Sequence, residues 1–350
     1  MLSLRLEPRV TTPAWLNLAL PVAAVLAALV LCAGLVLLSG ANVFHAYGTL
    51  LAGAFGGGFN IAETLVKAAP MVLTGLAVAV AFRARFWNIG AEGQLVAGAV
   101  ASAYAGSFPV PGALGIAAML VAGALAGAAL GLVPGVLRVR FRVDDAVSSL
   151  LLNSIVAYGV QALIEGPWKD PLSGYPISPP IEDSANFPVL LEGTRLHLGV
   201  LVALLMAPAV WFLMARTTLG FAIRATGENA AAAAYAGIPT GRVILTAAAL
   251  SGALAGLAGA GEVGGVHYQV MSDLSSGYGY SGIVIATLAR LNPLGVVPAA
   301  LFSAAVVTGA QAMSRATGVP VFLADIIQGT ALIAMLVALL FATHRLRRTG

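Results

Sequence analysis

The sequence predicts an all-α, polytopic transmembrane helical bundle of about ten spans, and three observations predict it. First, 59% of the 350 residues are hydrophobic and only 9% carry charge. A soluble domain carries about 25% charged residues, and a soluble core of this length could not coat so much apolar surface. A bilayer removes the need for that coat. Second, the apolar residues fall into long runs separated by short basic groups. Third, those groups alternate along the chain. With the N-terminus inside, the inner segments hold Arg5, Arg9, Arg83, Arg85, Arg138, Arg140, Arg142, Arg216, Arg224, Arg242, Arg290, Arg345, Arg347 and Arg348. The outer segments hold only Lys169, Arg195 and Arg315, and Lys67 falls within a span. Fourteen against three is a strong positive-inside bias. An even number of spans puts both termini in the cytoplasm, and a miscount by one would destroy the alternation.

The ten apolar stretches are 14–38, 62–82, 88–107, 111–137, 144–164, 197–215, 243–263, 279–290, 293–312 and 320–342. The first is too long for the apolar core of a cleaved signal peptide and reads as a retained helix. The Gly-rich segment 41–60 reads as an external loop or a half-inserted element. The eighth stretch is short for a span and extends back into the Gly/Tyr/Ser segment 275–282 if it spans at all. The longest external segment, about 165–196, carries Pro167, Pro171, Pro176, Pro179, Pro180 and Pro188 with five acidic residues. It cannot be one continuous helix and reads either as a solvated connector or as a docking surface. Gly123-Ala-Leu-Ala-Gly127 and Gly252-Ala-Leu-Ala-Gly256 are small-xxx-small patterns that bring helix backbones together.

Several chemistries are excluded. The only lysines, Lys67 and Lys169, follow no glycine, so no phosphate-cradling G-x-x-x-x-G-K-[ST] loop exists. The chain is expected not to hydrolyse ATP and to carry no cofactor. His45, His197, His267 and His344 lack metal-ligand spacing, and Cys32 is alone. No Ser/His/Asp or H-E-x-x-H arrangement is present, so no catalytic residue is assigned.

Three segments carry polar chemistry. In Phe86-Trp-Asn-Ile-Gly-Ala-Glu-Gly-Gln94, Asn88 suits a helix N-cap and Glu92 the first helical turn. This is either an ordinary helix start or a broken helix lining a solute path, where Trp87, Asn88, Glu92 and Gln94 would line it. Asn153 in the fifth stretch, and Asp325 with Gln328 on one face of the last, are further pathway candidates or interhelical hydrogen-bonding groups. The inner segment of about 216–242 contains Arg224-Ala-Thr-Gly-Glu-Asn and five alanines before Tyr235-Ala-Gly-Ile-Pro239. It predicts a short surface helix starting at Thr226 or Gly227, with Glu228 in its first turn and Gly237 with Pro239 ending it. In Tyr268 to Pro293, the aromatics either form an interfacial belt or stack on a planar solute.

The N-I-G-A-E-G-Q core at 88–94, the G-E-N-A…A-G-I-P loop at 227–239, the Ser251–Gly259 run and the Asn292-Pro293 turn together resemble the nucleoside-type permeases. These belong to the branched-chain amino acid and ribose permease superfamily of ABC importers. The resemblance covers roughly residues 60–340 and implies a single permease domain over 1–350 in a prokaryotic inner membrane. It implies a second, homologous permease chain, a cytoplasmic ATPase that holds ATP and Mg, an external substrate-binding lipoprotein, and a nucleoside as solute. The inner loop would be the coupling helix on the ATPase, carried by Thr226, Glu228, Asn229, Ala232, Tyr235 and Gly237. The competing reading is an ion-coupled secondary transporter that moves protons on Glu63, Glu92, Glu262 or Asp325.

Overall fold

The computed structural model describes residues 3–8, 14–110, 112–320 and 322–349. Helices carry the fold: α1 (Ala14–Leu38), α2 (Val43–Phe55), α3 (Gly58–Arg83), α4 (Ala91–Gly106), α5 (Gly112–Phe141), α6 (Asp145–Glu165), α7 (Leu198–Arg216), α8 (Thr218–Glu228), α9 (Ala230–Tyr235), α10 (Thr240–Glu262), α11 (Tyr278–Leu288), α12 (Pro293–Thr317) and α13 (Phe322–Thr343). A two-stranded antiparallel ribbon pairs β1 (Ser3–Pro8) with β2 (His344–Thr349), a departure from the all-helical expectation. Each of the ten apolar stretches coincides with a helix. Segment 41–60 is not a loop: α2 occupies it, bent 119° from the second half of α1.

Length separates the helices. Six are long and apolar enough to cross a membrane, or seven if the bent α1–α2 pair is one crossing, among the described residues. At 1.5 Å per residue, the 16-residue α4 reaches about 24 Å and the 11-residue α11 about 16 Å. Both fall short of a hydrocarbon core of about 30 Å. The exposed faces are apolar, as lipid contact requires: Leu125 on α5, Ile155 and Tyr158 on α6, and Leu205 and Phe212 on α7.

The chain forms two compact units. One comprises residues 1–64 with 302–350; the other comprises 65–301. In the first, Cys32, Val36, Leu50, Met313 and Ile327 form a buried cluster. There Gly309 lets α12 approach α2, since a Cβ on it would lie 2.4 Å from the Leu50 carbonyl oxygen.

In the second unit the core is a glycine seam through α4, α5 and α10. A Cβ on Gly127 would lie 2.1 Å from the Gly252 carbonyl oxygen, and one on Gly256 would lie 2.0 Å from the Gly123 carbonyl oxygen. Helix backbones therefore touch, and the two small-xxx-small patterns are the contact. At its far end α10 loosens into one π-helical turn, Val263–His267, and Tyr268 turns left-handed at φ 59°.

Segment 165–196 is a folded cap whose surface is largely exposed. The Ser178 amide donates to the Val270 carbonyl, the Ile181 amide to Tyr268 and the Phe187 amide to Gly264. Phe187 and Ile181 are buried. His197 ends the cap as N-cap of α7, its Nδ1 accepting from the Gly199 amide at 3.1 Å. Burial pushes its imidazole pKa down to about 4, and Arg195 adds to the shift.

Candidate functional site: a broken-helix polar centre and an exposed inner helix

The centre begins where α3 ends. After the turn at Ala84 and Arg85 the chain runs without helix or strand from Phe86 to Ile89 before α4 starts, the Asn88 and Ile89 amides donating to the Phe86 and Trp87 carbonyls. A non-helical backbone among helices leaves amides and carbonyls without helical partners, and α6 supplies several in ladder fashion. The Trp87 amide donates to Asp145 Oδ2 at 2.7 Å and the Ile89 amide to Ser149 Oγ at 3.0 Å. One turn further, the Gly93 amide donates to Asn153 Oδ1 at 2.9 Å, while Asn153 Nδ2 donates to the Ile89 carbonyl at 3.0 Å. Asp145 is also ion-paired with Arg138 of α5. Polar residues four apart on one helix face thus replace the missing backbone bonds of a broken helix.

Asn88 is not the N-cap of α4; Gly90 holds that position, with no side-chain cap bond. Asn88 is fully buried and does more. Its Nδ2 donates to Gln94 Oε1 at 2.8 Å and to Ser251 Oγ at 2.9 Å. Its Oδ1 accepts from Gln94 Nε2 and from the Gly90 amide, both at 3.0 Å. This reciprocal amide pair pins the break to the middle of α10.

Glu92 does lie in the first turn of α4, and it joins a second helix end. Its Oε2 accepts from the Gly279 amide at 2.7 Å, in the first turn of α11. A Cβ on Gly279 would lie 2.2 Å from the Glu92 amide nitrogen, so only glycine lets the two ends meet. Two helix N-termini, each with partial positive charge, therefore share one carboxylate. Tyr280 sits beside them, half-exposed, its hydroxyl accepting from Asn153 Nδ2 at 3.2 Å. Thr74 Oγ1 donates to the Tyr278 carbonyl at 2.9 Å and anchors α11 to α3. Trp87 is half-exposed, its ring edge-on to Phe82 at 4.7 Å.

Of the residues singled out from sequence, Asn88, Glu92, Gln94 and Asn153 come together here, with Trp87 at the margin. The side chains of Asp325 and Gln328 lie outside the described residues. Ser149, Ser251, Gly279 and Tyr280 belong to the centre but were not singled out as site residues. A separate pair, buried Glu262 with partly exposed His267 at 3.4 Å, lies on the π turn that brings residues five apart face to face.

The inner segment is two helices, not one. Thr226 and Gly227 are the buried last turn of α8, and Glu228 ends that helix rather than opening the next. A Cβ on Gly227 would lie 1.9 Å from the Arg83 carbonyl oxygen, which locks α8 against the end of α3. Asn229 then caps α9, its Oδ1 accepting from the Ala232 amide at 3.0 Å. Gly237 at φ 85° closes the segment. Ala232 is exposed, and Tyr235 is 98% exposed with no apolar cover. Beside α9 opens a polar cavity of about 350 Å³, lined by Arg85, Arg138, Thr226, Glu228 and Asn229 among others.

The comparisons with known proteins decide the family. Residues 60–336 match the family described as branched-chain amino acid transport system / permease component. The chain belongs to this permease family. It is 35% identical to a guanosine ABC transporter permease protein of Bacillus subtilis, over 95% of this chain and 98% of that one. It is 34% identical to a glucose ABC transporter permease protein of Haloferax volcanii, over 98% and 93%. A nucleoside ABC transporter permease protein of Lactococcus lactis is 31% identical, over 92% and 90%. No solved structure matches. The chain is therefore a multi-pass membrane permease subunit of an ABC transporter, and ATP hydrolysis belongs to a separate subunit. The family does not favour the proton-coupled alternative built on Glu63, Glu92, Glu262 or Asp325.

Proposed function

We propose that this permease subunit imports nucleosides and that its solute path passes the junction of α4 and α11 at Glu92. The observation that carries the path is the shared carboxylate. Charged groups at membrane depth are costly, and they persist where they serve transport. Half-length helices meeting inside a bundle are the architecture of transporter binding sites. Asn88, Gln94 and Asn153 hold the break in place, and Trp87, Glu92 and Tyr280 present aromatic and hydrogen-bonding surface to a solute. Nucleoside as cargo is supported by the names of the Bacillus and Lactococcus relatives.

The second reading is a simple sugar, favoured by the 34% identity to the Haloferax glucose permease protein. Bacillus subtilis has a second guanosine permease protein 29% identical to this chain. Two such permeases in one organism support pairing of this chain with a homologous, non-identical permease. A cytoplasmic ATPase holding ATP and Mg, and an external binding lipoprotein, complete the machine. Exposed α9, with Tyr235 at its end and Ala232 on its surface, is the coupling helix that docks on the ATPase; Thr226, Glu228, Asn229 and Gly237 set its position. The basic asymmetry supports ten crossings, two of them by the half-helices α4 and α11 completed by non-helical chain. The β1–β2 ribbon agrees with both termini lying on one side, the cytoplasm of a prokaryotic inner membrane.

Uptake of labelled guanosine and of labelled glucose by proteoliposomes with the complete transporter tests this reading. ATP-dependent guanosine uptake is expected. Uptake driven by a proton gradient alone, or of glucose and no nucleoside, would overturn it.

A further inference from the structure

The polar cavity beside α9 lies between the α8–α9 segment and the C-terminal ends of α3 and α5. Thr226, Glu228 and Asn229 line it from the first side, and Arg85 and Arg138 from the second. Its volume of about 350 Å³ is roughly ten times a water molecule's share of the liquid, which is room for a whole side chain.

The wall of this cavity carries bonding capacity that the chain itself does not use. Thr226 is 3% exposed, and its hydroxyl has no hydrogen-bond partner among the described residues. A buried hydroxyl without a partner is costly, and folded proteins rarely keep one. Arg138 spends one nitrogen of its guanidinium on Asp145 and on the Arg85 carbonyl, and keeps the donors of the others. The Arg85 side chain stands exposed on the same wall. Two guanidinium groups and a free hydroxyl suit a carboxylate. Exposed Glu228 also lines the cavity and would repel a phosphate, free or on a lipid headgroup. A polypeptide segment with an acid beside a base matches both signs of charge.

We propose that this cavity receives an acidic side chain of the cytoplasmic ATPase, bound by Arg85, Arg138 and the Thr226 hydroxyl. The proposal rests on the reading of α9 as the helix that docks on the ATPase. Ala230, the first residue of α9, is part of the cavity wall, so a partner seated on that helix reaches the opening. Arg138 places the cavity one ion pair from the helix break, because its partner Asp145 accepts from the Trp87 amide.

The test titrates the purified ATPase onto the full-length permease pair in lipid nanodiscs and reads Kd together with the permease melting temperature. Thr226→Val keeps the shape and removes the hydroxyl. Arg85→Gly removes the side chain without strain, since Arg85 stands at φ 51°, which glycine adopts freely. Each variant is expected to weaken ATPase binding about tenfold, with the melting temperature of Thr226→Val equal to or above wild type. Arg85→Lys, which keeps the charge, should recover most of the affinity. Wild-type Kd in Thr226→Val and Arg85→Gly, with the ATPase released by Tyr235→Ala, makes the cavity a solvent pocket and overturns the proposal alone. Wild-type Kd in Tyr235→Ala and Ala232→Arg as well overturns the docking reading itself. If phosphatidylglycerol raises the wild-type melting temperature and Thr226→Val and Arg85→Gly lose that rise while binding the ATPase normally, the cavity is a headgroup site and the proposal is overturned.

Discussion

The Glu92 centre and the α8–α9 segment are both polar interruptions in an apolar chain, and they are built in opposite ways. Around Glu92 nearly every polar atom is matched by a partner from a distant element, and glycines remove all spare room. Along α9 the bonds are local: Asn229 caps Ala232 three residues on, and Ala232 and Tyr235 face outward. A region that must hold its shape inside a membrane satisfies its own backbone. A region that must be held by something else leaves its surface open. This difference yields predictions about which substitutions damage the fold and which damage only transport.

The largest effect is expected at the glycine seam. Gly256→Leu forces a side chain into the Gly123 carbonyl, and overpacking of this kind costs at least about 1–3 kcal/mol. The expected outcome is little or no folded protein in the membrane fraction and a clear loss of thermal stability in detergent. Next comes Asn88→Ala, which leaves Gln94, Ser251 and the Gly90 amide without their buried partner. Each such group costs about 1–3 kcal/mol, so a lowered melting temperature should accompany lost uptake. Normal stability of that variant would mean that the amide network does not hold the break.

The inner helix should answer the other way. Tyr235→Ala and Ala232→Arg alter exposed positions, where stability changes stay within about 0.5 kcal/mol. Expression and melting temperature should match wild type while ATP-driven uptake falls and the ATPase is released or no longer stimulated. Full uptake with a bound ATPase in both variants would remove α9 from the coupling role. The smallest effect concerns the cap. His197 is buried as a neutral imidazole, with its pKa lowered from 6.5 to about 4, so the unfolded cap binds more protons than the folded one in that window. Its contribution is complete above pH 6.5 and is lost as pH falls toward 4. Amide exchange in residues 165–196 should quicken over that range, and His197→Gln should flatten the dependence.

How much was readable from the sequence follows the same division. Apolar runs and arginine alternation located all ten stretches, because span length and basic flanks are local signals. The start of α4 was also visible, since Asn88, Glu92 and Gln94 stand together ahead of an apolar run. What they bind was not visible: Ser251 lies 163 residues from Asn88, and Gly279 lies 187 from Glu92. No spacing rule reaches across such separations. The half-length of α4 escaped, because hydropathy does not register that a run begins with non-helical chain, whereas the shortness of α11 was already visible in the eighth stretch. The split of the inner helix at Asn229 was legible in principle. An asparagine directly before five alanines is an N-cap signal, but the alanine run suggested one uninterrupted helix from Thr226.

The central claim is that the carboxylate joining α4 and α11 belongs to the solute path, and Glu92→Gln tests it most directly. Glutamine keeps the size and the acceptor for the Gly279 amide but removes the charge. Hydrogen bonds to charged groups contribute about 1.5–3 kcal/mol, so guanosine uptake by the complete transporter should fall about tenfold or more. Membrane level, melting temperature and co-purification with the ATPase should hold at wild-type values. Uptake at the wild-type rate and KM in this variant would contradict the claim and leave Glu92 as a structural helix cap alone.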